Sequence, residues 1–69
     1  MFESHWQQLY AAALAEMDTN KLYGRIEAAR RAIHERQREI EGAGNSREEE
    51  LLDRALHALF TLRARRRSA

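Results

Sequence analysis

The sequence contains no cysteine, no proline and no valine, and only three glycines. Without cysteine there can be neither a disulfide framework nor a thiolate metal site. Small secreted domains usually lean on disulfides, so a reducing, cytoplasmic setting is expected. The β-branched residues are only Thr19, Ile26, Ile33, Ile40 and Thr61. Strands favour such residues, whereas helices favour the Ala, Leu, Glu and Arg that dominate here. Long apolar runs are missing too. The longest, Leu9 to Ala15, has seven residues, against roughly 18 or more for a membrane span. The start, Met1-Phe2-Glu3-Ser4, has no basic stretch and no long apolar one, so neither a signal peptide nor a membrane association is expected.

Net charge is nearly absent as well. Twelve basic residues face eleven acidic ones, for a formal charge of +1. No broad field therefore draws in nucleic acid or a charged surface. The core material is scarce. Of 69 residues, 43% are apolar, but twelve of those are Ala and one is Met1, leaving 17 large apolar side chains. A single core below roughly 70–80 residues rarely supplies more than about 3–5 kcal/mol. These sums exclude a multidomain enzyme and a large enclosed pocket, and they point to self-association.

Three segments carry a helical period. The first runs from about residue 4 to 17, with Trp6, Leu9, Tyr10, Ala13, Leu14 and Met17 on its stripe. Ser4 with Gln7 reads as a capping box, with Phe2 just outside it. The second runs from about 20 to 41, with Leu22, Ile26, Ala29, Ile33 and Ile40. The third runs from about 47 to 66, with Leu51, Leu52, Ala55, Leu56, Leu59 and Leu62. Ser46 with Glu49 is a second capping box. Gly42-Ala43-Gly44-Asn45 between the last two is a short stop-and-restart connection, so these helices should be antiparallel neighbours. A basic tail closes the chain.

The join of the first two segments is the informative place. On one continuous helix their stripes would centre near about 240° and about 45°, almost opposite faces. Either the helix runs on and its two halves bury against different partners, or the chain breaks at Asp18-Thr19-Asn20 with Asp or Thr capping the new helix; the break is the favoured expectation. One inward position of the second helix falls on Arg36 or Gln37. A buried Arg needs a partner; otherwise it lies along the apolar surface with its head in water.

The polar constellations yield no chemistry. His5, His34 and His57 fall one per segment, but His57 projects away from the Leu stripe and the others sit at stripe edges. No Glu stands three residues before a His, as a carboxylate-bridged di-metal bundle requires. Ser4 and Ser46 read as caps and Ser68 lies in the tail. Gly42-x-Gly44 follows a helix, not a strand, so it is no dinucleotide fingerprint. Glu48-Glu49-Glu50 opens a helix, where acids offset the positive end of the dipole. No catalytic, cofactor or metal site is assigned, and no enzyme is expected.

Two readings remain. In the first, the chain is a small all-α module: an antiparallel hairpin preceded by a shorter helix, its bundle completed in a homodimer or higher homo-oligomer, with a further protein partner open. The aromatic first segment supplies Trp6, Tyr10, Leu14 and Met17 as interface candidates, and the hairpin adds Ile26, Ile33, Leu52, Leu59 and Leu62. In that reading the first helix packs at least partly against a second copy. The alternative is a nucleic-acid-binding hairpin using the cations Arg63, Arg65, Arg66 and Arg67. No aromatics interleave with them, and basic residues at a helix end also offset the dipole.

Overall fold

The computed structural model describes residues 5–42, 44 and 46–68, the side chains of 66–68 excepted. The expected Ser4 cap, its neighbour Phe2, and Ala43 and Asn45 of the connection lie outside the described residues. Those described form three helices and no strand: α1 His5–Ala15, α2 Thr19–Ile40 and α3 Ser46–Ser68.

Helix α1 stops two residues short of Met17 because the chain is already turning toward α2. Asp18 has extended backbone angles, φ −85° and ψ 113°, and its Oδ1 accepts a hydrogen bond from the Asn20 N–H at 2.9 Å. Its carbonyl accepts from Lys21 N at 3.0 Å and Leu22 N at 2.9 Å. Asp18 is therefore the N-cap of α2, a position where a short acceptor side chain satisfies an otherwise unpaired amide. Glu16 braces the same turn. One carboxylate oxygen accepts from Asp18 N at 3.2 Å and the other from Arg25 Nε at 2.5 Å. The two apolar stripes that a single helix would set on opposite faces thus come to face one another across a tight turn.

The other turn rests on glycine. Glu41 ends α2 with its N–H donating to the Arg38 carbonyl at 3.4 Å. Gly42 follows at φ +81°, in the left-handed region where a side chain is disfavoured. The chain then reverses into α3.

Helix α1 packs chiefly on α2, and α2 on α3; α1 and α3 touch least. The core consists of Trp6 and Ala13 from α1, Leu22, Ile26, Ala29, Ala32, Ile33 and Ile40 from α2, and Leu52, Ala55 and Leu59 from α3. Leu22, Ile33, Leu52 and Leu59 are its largest fully buried side chains, each worth about 1.5–3 kcal/mol of burial. Trp6 and Tyr10 pack as a tilted aromatic pair with centroids 6.4 Å apart. The radius of gyration is 12.5 Å, longer than the roughly 11 Å of a compact chain of this length. No helix among the described residues is long and apolar enough to cross a membrane.

Candidate functional site

The hairpin α2–α3 has two sides, and α1 covers only one. Along α2, the α1 side is marked by Lys21, Arg25, Ala28, Ala32, Glu35 and Glu39, which line hollows with Leu9 and Ala12 or with His5 and Trp6 of α1. The other side carries Glu27, Arg30, His34, Arg38 and Glu41, which line hollows with α3 alone. On a helical wheel these two rows lie roughly 140° apart. Steps of three and four continue the outer side on α3 through Glu49, Asp53, Leu56, Phe60 and Arg63.

On the α1 side, one cluster ties all three helices. Arg36 of α2 donates from Nε to Glu48 Oε2 at 2.6 Å and from Nη2 to Glu48 Oε1 at 2.9 Å, and from Nη1 to Glu39 Oε1 at 3.0 Å. Glu48, at the start of α3, is 16% exposed and Arg36 36%. Arg36 thus occupies the inward position that the second stripe leaves polar, and it occupies it paired. The Arg36 guanidinium holds the Glu48 carboxyl below its ordinary range, against the opposing effect of burial. The Glu48 and Glu39 carboxylates raise the Arg36 pKa in return. Trp6 is buried and its Nε1 makes no hydrogen bond of normal geometry, but its N–H still adds to the lowering at Glu48. The cluster is an internal tie in which one guanidinium answers two carboxylates.

The outer side differs along its length. Near the Gly42 turn it is polar: His34, Gln37, Arg38 and Glu41 face Glu49 and Asp53. Toward the free end it is apolar. There Ile26, Leu56, Leu59 and Phe60 line an open groove, with Glu27, Arg30 and Arg63 at its rim. Phe60 is 74% exposed. Tyr23 is also exposed, under the Arg63 guanidinium at 6.0 Å from the ring centroid. Glu27 accepts from Arg30, which holds its carboxyl below the ordinary range, with weaker help from Arg31 and Arg63. Arg30, at i+3, is therefore the closer partner of Glu27 than Arg31 at i+4, which stands 4.0 Å away. Glu50 and Arg54 pair at 3.2 Å.

The nine apolar positions singled out in the sequence divide in this fold. Trp6, Ile26, Ile33, Leu52 and Leu59 are buried within the one chain, and Tyr10 and Leu62 are half-buried against that core. Leu14, in the last turn of α1, and Met17, on the short turn after it, remain exposed, at 52% and 84%. Of the basic candidates, Arg63 lies over Tyr23 and Arg65 is exposed; the side chains of Arg66 and Arg67 lie outside the described residues. His5, His34 and His57 are all exposed, and among the described residues no three His, Asp or Glu side chains are grouped to hold a metal.

Phe60 and Tyr23 are absent from the stripes read off the sequence. The signal for Phe60 is present: Leu56, Phe60 and Arg63 stand at i, i+4 and i+7. It is hidden because Leu59 next door carries the stronger stripe. The sequence matches no protein-family model, and neither a curated protein nor a solved structure matches it.

Proposed function

We propose that this chain is a small, non-catalytic helical interaction module that self-associates in the cytoplasm. The observation that carries this reading is the uncovered apolar end of the hairpin's outer side. A largely exposed Phe60 beside a groove lined by Ile26, Leu56 and Leu59 is a form that interfaces favour, an aromatic anchor next to a place for one. Nothing in the reading requires bond-making chemistry. Its parts are helix faces, an aromatic anchor and a mixed-charge rim.

The nucleic-acid alternative has the exposed Arg65 in its favour. Against it, Arg63 is engaged with Tyr23, and Arg25, Arg30 and Arg36 are each paired with a carboxylate. The test is the solution mass, measured by size-exclusion chromatography with light scattering over a wide range of concentration. A defined multimer supports the reading. A monomer at every concentration overturns self-association.

A further inference from the structure

We infer that the outer side of the hairpin receives a second copy of this chain in a two-fold arrangement, each Phe60 seating in the other's groove. The inference rests on the self-association proposed above and names its surface and geometry.

A two-fold interface uses one patch twice, so the patch must be complementary to itself. This one is complementary in shape. It carries a projecting ring, Phe60, and next to it a hollow of about 220 Å³ lined by Ile26, Leu56 and Leu59. That volume lies below the roughly 300–1,000 Å³ of small-molecule sites and suits a side chain. Its rim carries both signs, the acid Glu27 with the bases Arg30 and Arg63, so a copy turned by half a revolution can set Glu27 against an arginine of its partner.

Leu14 in the last turn of α1, Met17 just after it and Leu51 on α3 are also exposed, but none of them lines this groove.

The absence of cysteine makes the test clean, because any introduced thiol can link only to another copy. Three proteins are compared by light scattering: the natural chain, Phe60→Ser, and Leu14→Ser with Met17→Ser. Folding is followed by circular dichroism. Because Phe60 is exposed in the single chain, its replacement should leave the helical signal intact. The expected result is a dimer whose association weakens roughly a hundredfold in Phe60→Ser, since a two-fold contact counts each ring twice. The double Ser variant should dimerise as the natural chain does. In a second arm, Arg63→Cys on the groove rim should be joined to a second copy by a short bis-maleimide. Gln8→Cys, exposed on α1, should not.

A multimer that persists unchanged in Phe60→Ser, or that links through Gln8→Cys rather than Arg63→Cys, overturns this geometry while leaving self-association standing. A natural chain that is monomeric at every concentration removes both.

Discussion

The Arg36 guanidinium grips the Glu48 carboxylate through two hydrogen bonds, at 2.6 and 2.9 Å. The pair joins the C-terminal half of α2 to the first turn of α3, with Trp6 of α1 against it. Bidentate pairs of this kind fix geometry as well as adding energy. The replacement Arg36→Met should destabilise the fold, since it leaves the largely enclosed Glu48 without its cation. Combining it with Glu48→Gln should recover part of the loss. A thermal-melt double-mutant cycle checks this; additive effects would mean that the two side chains are not coupled.

The same pair sets a pH dependence. Arg36 lowers the Glu48 pKa from its ordinary 4.5. A carboxyl lowered on folding contributes stability that is fully present above its unfolded value and disappears as pH falls through the folded one. Glu16, held down by Arg25, and Glu27, held down by Arg30, act in the same direction. Urea midpoints measured from about pH 6 down to about pH 3 should therefore fall with acid. The Glu48→Gln variant should start lower and fall less steeply. An identical slope in both proteins would remove Glu48 from the account.

Trp6 belongs to the core of its own chain at 5% exposure. Trp6→Ala should cost about 3–5 kcal/mol. That rivals the whole stability expected of so small a core. The variant should be largely unfolded by circular dichroism at 25 °C. A well-folded Trp6→Ala protein with altered mass would instead place the ring between copies. Since Trp6 is the one tryptophan, its fluorescence reports unfolding directly in the natural chain.

Gly24 lies inside α2 with an ordinary helical φ, and a Cβ built there meets nothing within 4 Å. Gly24→Ala should therefore stabilise the protein by about 0.5–1 kcal/mol through helix propensity and the reduced freedom of the unfolded chain. A chemical-denaturation midpoint that does not rise would mean that this stretch of α2 needs glycine for a reason other than space.

Asp18 caps α2, and Asp18→Ala should cost about 1 kcal/mol. Asp18→Asn retains an acceptor oxygen and should cost much less. Equal losses in both variants, measured in urea, would show that the charge rather than the cap hydrogen bond carries the effect.

The helices and the turns between them were legible in the residues because their causes are local. Asp18 caps α2, Gly42 sits where that helix ends, and the near-opposition of the first two stripes pointed to a break near Asp18, whereas Ser46, read as a cap, is the first residue of α3 itself. The C-terminal bound of α1 was not legible. Met17 continues the period, but Glu16 is drawn into the turn by Arg25, nine residues on. Local pattern could not reveal that contact. Arg36 was readable as an anomaly in the stripe; its partner Glu48, twelve positions away across the hairpin, was not.

The candidate surface was the least legible part. Hydrophobic periodicity finds the face that a helix buries, and it gave Ile26, Leu52 and Leu59, which the single chain consumes in its own core. Phe60 stands one residue, about 100°, from Leu59, and only the position of α1 decides that the side bearing Phe60 is left open.

What the sequence by itself determined is the set of helices, the two reversals and the membership of most of the core, because capping, glycine stereochemistry and apolar spacing act within a few residues. What only the tertiary structure decided is the pairing of Arg36 with Glu48 and which side of the hairpin α1 covers. Both depend on groups far apart in the chain meeting in space, and therefore on how three helices of unequal length share too little apolar material.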